Sequence, residues 1–276
     1  MKRVVTIQDI SCIGKCSLTV ALPIISACGV ETAVIPTAML SVHTAFPHFT
    51  FHDLTKEMLP TIADWRQHNM TFDAIYTGYL GSEEQIEHVV KIVDTFASDN
   101  TLVLVDPVMG DHGKLYTGFT MAFAKKMASL CKKADVIVPN LTEACALLGI
   151  PYPETYNQAY LMDITSRLTA FGVKQVVLTG ITLDDGTIGV LAYDSPSNTY
   201  IHYGTPRIAR VFHGTGDTFA SALLGALSRD MPLKDALKLA VDFTALSIEK
   251  TLNDKDANWY GVNFEQALPW LIEQFK

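Results

Sequence analysis

Hydrophobic residues recur along the chain in two alternating rhythms. Short apolar or β-branched runs at residues 4–8, 32–38, 74–77, 102–105, 136–138 and 175–178 read as strands. Between them lie stretches with apolar residues at helical spacing, at 17–28, 54–68, 83–97, 119–130, 142–148 and 157–171. Several strand runs are continuously apolar rather than alternating, the mark of strands covered on both faces. This alternation implies right-handed crossovers and an α/β three-layer sandwich, a mostly parallel central sheet with helices on both faces. After Gly180 the rhythm changes. Residues 188–193 and 200–203, joined by Ser195-Pro196-Ser197-Asn198, predict a hairpin, and helices are expected over 218–227, 233–252 and 264–275. No repeat, low-complexity tract or long linker interrupts the pattern, so residues 1–276 read as a single domain.

Composition narrows the classes. With 49% hydrophobic and 18% charged residues, disorder is excluded as the main state. Lys and Arg number 21 against 29 Asp and Glu, a net charge of -8 with no basic block, which argues against a nucleic-acid partner. The most apolar run, residues 18–30, is about half a membrane span and contains Pro23 and Gly29, so no membrane segment is expected. Lys2, Arg3 and Lys15 ahead of it imitate a secretion signal, but Asp9 and the strand-like 4–7 run favour a buried helix. The five cysteines are odd in number and form no C-x-x-C pair, which argues against disulfides or zinc and predicts a cytoplasmic location.

In such a sheet, ligands sit beyond the carboxyl ends of the strands. After Val211-Phe212 comes His213-Gly214-Thr215-Gly216-Asp217, opening an apolar helix. Two glycines and consecutive N–H groups at a helix start make an anion cradle. Asp217 reads either as a plain N-cap or as a general base beside that cradle, which suits alcohol activation for phosphoryl transfer. After residues 102–105 comes Asp106-Pro107-Val108-Met109-Gly110-Asp111-His112-Gly113, a turn or a place for hydrated Mg²⁺ and phosphate. After 136–138 comes Pro139-Asn140-Leu141-Thr142-Glu143, a capping box whose Asn and Glu also suit a metal's water shell. Thr77-Gly78-Tyr79-Leu80-Gly81-Ser82 follows another strand, with Ser82 as a cap and Tyr79 able to stack on a ligand or on a neighbour.

Two patterns are decoys. Gly14-Lys15 fails as a P-loop because Asp9 and Cys16 occupy fixed positions of that motif, and Gly214-Thr215-Gly216 lacks the third glycine of a dinucleotide fingerprint, which disfavours a dehydrogenase. His43, His48 and His52 cluster without metal-ligand spacing.

The G-T-G-D helix start at Gly214 to Asp217, late in an α/β chain, resembles the ribokinase-like superfamily of small-molecule kinases. Ser41-Val42-His43-Thr44, the 77–82 segment, Asp106-Pro107-Val108-Met109-Gly110, and Pro139-Asn140 with Glu143 occur in the order of the pyridoxal/pyridoxine/pyridoxamine kinase family, over nearly the whole chain. The resemblance implies ATP-dependent phosphorylation of the vitamin B6 5′-hydroxymethyl group. It makes Asp217 the base, with the N–H groups of Gly214, Thr215 and Gly216 stabilising the transferring phosphoryl group. Asp106, Asp111 and Glu143 would hold Mg²⁺, largely through water, and possibly, by the same resemblance, a monovalent cation such as K⁺. Asp106, Asn140, Glu143, Thr179, Gly214 and Gly216 would serve ATP, and Thr44 and Tyr79 the B6 ring. Residues 110–118 match the family's loop over the nucleotide. Where the family has a first-strand Ser against the pyridine ring, this chain offers Asp9 in ungapped alignment and Ser11 nearby. Family analogy also implies a homodimer through segments near Thr32 to Thr50. The alternative substrate is hydroxymethylpyrimidine, although kinases of that class often have Cys where Asp217 stands; a non-catalytic nucleotide- or B6-binding protein is the remaining reading.

Overall fold

The structure is a computed structural model that describes residues 1–276 except Ala209 and Val211. In chain order the elements are β1 (Arg3–Ser11), α1 (Leu18–Ala27), β2 (Glu31–Leu40), β3 (Phe51–Asp53), α2 (Thr55–Gln67), β4 (Ala74–Thr77), α3 (Glu83–Phe96), β5 (Leu102–Val105), β6 (Gly110–Asp111), β7 (Lys114–Leu115), α4 (Met121–Cys131), β8 (Val136–Ile137), α5 (Leu141–Leu148), α6 (Gln158–Leu168), β9 (Gln175–Thr182), β10 (Ile188–Asp194), β11 (Thr199–Thr205), α7 (Thr215–Ser228), α8 (Leu233–Asn253) and α9 (Leu268–Glu273). The fold is α/β, a mostly parallel sheet flanked by helices, as the hydrophobic pattern predicts. Among the described residues no helix is long and apolar enough to cross a membrane.

Backbone contacts divide the chain into two compact units, Met1–Gly78 with Ile208–Lys276, and Tyr79–Arg207. In the first, β1 pairs in parallel with β2 and β4, and β3 adds an antiparallel edge to β2. β4 is buried at every position, as its continuous Ala-Ile-Tyr-Thr run requires of a covered strand. α1 packs on β1 and on α7, and α7 on α8. In the second unit β5, β8 and β9 run parallel, and β10 and β11 extend them as antiparallel neighbours. The hairpin predicted after Gly180 is β10–β11.

Differences from the sequence pattern have local causes. The expected last helix over 264–275 is broken into a 3₁₀ turn, Phe264–Gln266, and the short α9. Pro269 has no N–H to return to the carbonyl of Glu265, so one continuous helix cannot form there. β3 is only three residues long and exposed throughout, too short to leave a periodic signal. The strand expected at 211–212 falls partly on Val211, outside the described residues; Phe212 is buried but belongs to no strand.

The α1–α7 contact is close enough to require a glycine. A Cβ on Gly225 would lie 2.4 Å from Cys28 Sγ. Gly225→Ala should therefore destabilise the protein by about 1–3 kcal/mol through overpacking, and adding Cys28→Ala should recover most of the loss. Urea unfolding of the single and double variants measures both. Equal destabilisation in the two would mean that the Cys28 contact is not the cause.

Candidate active site

In the first unit the G-T-G-D turn is shaped by backbone against backbone. Gly214 has φ +75, and a Cβ there would lie 1.9 Å from the Lys15 carbonyl oxygen, so only glycine fits. Helix α7 starts at Thr215, three residues earlier than expected, with Gly214 as its N-cap and no side-chain cap. Asp217 is thus the third helical residue, which removes its reading as a plain N-cap. The first N–H groups of the helix, from Thr215 onward, have no intrahelical partner, and the space around Gly216 is open. This is the anion cradle expected of the motif.

The Asp217 carboxylate is held from a distant segment. Ser17 N–H donates to Asp217 Oδ2 at 2.9 Å. Ser17 adopts φ 52 and ψ -134, a conformation that a non-glycine residue adopts at a cost of about 1–3 kcal/mol. Its hydroxyl bonds to Asp9, whose Oδ2 also accepts from Ser11 Oγ at 3.2 Å. Burial pushes the Asp217 carboxyl up to about 6; the Ser17 amide opposes this and the Asp9 charge adds to it. Burial raises Asp9 as well, against its hydroxyl donors. Between them, Cys16 is pushed up to about 12 by burial and by the charges of Asp217 and Asp9. The two candidates for the ring contact, Asp9 and Ser11, are both buried and bonded to each other.

The loop carrying Ser17 is anchored by Lys15. Its Nζ donates to Asn263 Oδ1 at 2.9 Å and pairs with Glu265 Oε2 at 2.8 Å, and its Cβ faces Gly261 so closely that no side chain fits there. Lys15 is therefore a structural tie rather than a free phosphate contact. His43 is buried under an aromatic cover. Its ring lies 5.1 Å from Phe46, 5.2 Å from His213 and 5.8 Å from Trp259. Nδ1 accepts from Ala45 N–H, so Nε2 carries the proton and donates to the Tyr260 carbonyl at 3.2 Å. Burial and the neighbouring His213 hold this imidazole below its ordinary value. Thr44 next to it is exposed. His48 and His52 are also exposed, and they form no metal group with His43.

In the second unit Asn140 and Glu143 form the predicted capping box of α5: Glu143 N–H donates to Asn140 Oδ1 at 3.0 Å and Asn140 N–H to Glu143 Oε2 at 2.9 Å. Glu143 Oε1 accepts from Met109 N–H at 3.0 Å, which ties the Asp106–Gly110 segment to the helix start. Burial raises the Glu143 carboxyl, against the N–H groups of Asn140, Met109 and Gly110. Asn140 Nδ2 donates to the Gly110 carbonyl at 2.8 Å, and Asn140 is bridged to Thr179. Asp106 is buried and Asp111 exposed. The segment over 110–118 opens as the tight hairpin β6–β7, turning at His112 (φ 49) and Gly113 (φ 76). Tyr79 lies 5.7 Å from Phe119.

Asp106, Asp111 and Glu143 offer only hard oxygens. Among the described residues no three His, Cys, Asp or Glu side chains gather as a cage. Such a donor set fits Mg²⁺, which keeps its waters and takes one or two carboxylates with phosphate oxygens.

The structure brings together Asp9, Ser11 and Asp217 in one unit, and Asn140, Glu143 and Thr179 in the other. Sequence reading missed Ser17, Phe46, His213 and Trp259. Only the Ser17 position, just after a Gly-Lys decoy, lay near anything singled out.

Comparison with known proteins agrees with this picture. The profile of the phosphomethylpyrimidine kinase family matches residues 21–260. The pyridoxal kinase of Dictyostelium discoideum is 27% identical over 268 residues, covering 92% of this chain and 87% of its own. A crystal structure of a Bacteroides thetaiotaomicron protein, provisionally named a phosphomethylpyrimidine kinase, is 39% identical with a TM-score of 0.95, covering 98% of this chain and 93% of that one. A second crystal form of that protein was obtained with pyridoxal. The pyridoxal kinase of Lactobacillus plantarum is 31% identical with a TM-score of 0.91, covering 99% and 98%.

The raised Asp217 carboxyl has a measurable consequence. Its folded value of about 6 lies above the unfolded value near 4, so between these the native state holds a proton that the unfolded state has released. Stability contributed by this group therefore falls as pH rises through that window and stays low above it. Asp217→Asn, which cannot ionise, should be more stable than the parent at pH 8 by on the order of 2–3 kcal/mol and should lose that advantage by pH 4. Thermal melts across pH check this; an Asn variant that is less stable at pH 8 would contradict the burial of an ionised carboxylate.

Proposed function

The chain belongs to the phosphomethylpyrimidine kinase family and is an ATP-dependent kinase, and we propose that its acceptor is the 5′-hydroxymethyl group of a vitamin B6 vitamer. The observation that carries the reading is the Asp217 carboxylate, held by the Ser17 amide at the start of a helix whose first N–H groups are unbonded. The choice of a B6 ring is supported by the Bacteroides relative that crystallised with pyridoxal.

Asp217 takes the proton of the substrate hydroxyl as its oxygen bonds to the γ-phosphorus of ATP and the bond from that phosphorus to the β-phosphate oxygen breaks. With a carboxyl titrating near 6, the base is ionised at neutral pH yet close enough in pKa to accept a proton. The N–H groups of Gly214, Thr215 and Gly216 stabilise charge on the transferring phosphoryl group, each donor of this kind contributing about 3–4 kcal/mol in a dry site. Asn140 and Thr179 serve the ATP phosphates, and Thr44 and Tyr79 the ring. Asp106, Asp111 and Glu143 would hold Mg²⁺ through water, where it would neutralise phosphate charge, with K⁺ as a further ion of the same site. The family match runs through both compact units, which supports one kinase domain. Five free cysteines support a reducing, cytoplasmic setting. A homodimer would use the segments near Thr32 to Thr50, where Met39 and Phe49 are exposed; a monomer by sedimentation at micromolar concentration would remove it.

A second reading, hydroxymethylpyrimidine as the acceptor, is favoured by the name of the matching family. One assay separates them. Pyridoxal, pyridoxine, pyridoxamine and hydroxymethylpyrimidine are offered together with Mg²⁺-ATP and the products are read by mass spectrometry. The expected product is a B6 phosphate, and Asp217→Asn should lower turnover by about 10²–10⁴-fold while still binding ATP. Phosphorylated pyrimidine alone would move the substrate and keep the mechanism. Turnover undiminished in the variant would remove Asp217 as the base.

A further inference from the structure

Two carboxyls share one serine. Asp9, at the end of β1, is 4% exposed and bonded by the hydroxyls of Ser11 and Ser17. Asp217 is bonded by the Ser17 amide. Neither carboxyl is ion-paired: Lys15, two residues from Ser17, is turned away to Asn263 and Glu265. The other titratable group between them is the Cys16 thiol, which stays neutral. α1, packed along α7, has no ionisable side chain within it. α8, also packed on α7, brings Lys234, Asp235, Lys238, Asp242, Glu249 and Lys250, and none of them pairs with Asp9 or Asp217. The carboxyls therefore feel each other with little compensation, and they titrate as a pair.

We propose that Asp9 and Ser17 are positioning residues for the reaction: the Ser17 amide fixes the Asp217 carboxylate, and Asp9, tied to the same serine by its hydroxyl, sets the pH at which that carboxylate becomes a working base. Ser17 suits this task because its positive φ points its amide at α7 while its hydroxyl reaches back to β1. Asp9 touches neither the reacting oxygen nor the phosphorus in this account. It acts through charge and through Ser17. The inference rests on Asp217 being the base.

The test compares pH profiles of kcat/KM with one vitamer for the parent, Asp9→Asn and Ser17→Gly. A parallel titration of the Asp217 carboxyl by ¹³C NMR on the substrate-free protein, with folding checked by circular dichroism, gives a readout that needs no turnover. Asp9→Asn removes one negative charge and should move both the acidic limb and the NMR midpoint of Asp217 down by about one pH unit. Ser17→Gly keeps the amide and accepts the positive φ but drops the hydroxyl. It should retain turnover within about tenfold of the parent and shift the limb in the same direction. An unmoved limb and midpoint in Asp9→Asn, with Asp217→Asn inactive, would overturn the inference and leave the base assignment standing. So would a change confined to KM that differs between vitamers, which would make Asp9 a ring contact. An active Asp217→Asn would instead overturn the reading beneath it.

Discussion

The hydrogen bond from the Ser17 amide to the Asp217 carboxylate is the constraint around which the first unit is arranged. A carboxyl in the first turn of a helix would ordinarily turn to its own helix N–H groups or to water. Here it is turned to a residue 200 positions away in sequence. To put an amide there, Ser17 must take a positive φ, Gly214 must let its Cα meet the Lys15 carbonyl, and Gly261 must let the Lys15 side chain pass. Asn263 and Glu265 then clamp that side chain. Remove any of these and the amide moves while the helix stays.

The second unit solves a related problem by local means. Glu143 is buried too, yet its oxygens are engaged by backbone N–H groups of its own helix start and of the strand-end segment at Met109. Its geometry comes from a capping box of four consecutive residues, reinforced by one long-range bond. Asp217 has one amide and a neighbouring charge; Glu143 has several amides. The first environment suits a group that must change protonation, and the second a group that must stay in place.

This contrast explains what could be read from the chain. The strand runs, the hairpin after Gly180, the Ser82 cap and the Asn140–Glu143 box rest on interactions within a few residues, and each appears as expected. The site residues of the second unit were legible for the same reason, because caps and turns announce themselves locally. Ser17 was not legible: nothing in Cys-Ser-Leu signals a positive φ, since it is imposed by partners far away in sequence. Lys15 looked unassigned because its partners, Asn263 and Glu265, lie in a segment that the pattern read as one plain helix. The aromatic cover on His43 draws on Trp259 and Tyr260, which carry no motif at all. The start of α7 was placed too late because its N-cap is a glycine held by packing, without the side-chain oxygen that usually marks a helix start.

The cysteines give the molecule a chemical asymmetry. Cys28 and Cys131 are buried, with thiols pushed to about 12 and about 13 respectively, and burial also raises Cys145. Cys16 is suppressed by the same carboxylates that define the base. Alkylation requires a thiolate within reach of the reagent, so four of the five thiols are silent in the folded state. Cys12 alone is exposed, and it lies on the loop that ends at Ser17. The native sequence thus already provides a single attachment point for a fluorophore or spin label, five residues from the amide that holds the base, with no cysteine needing to be engineered away.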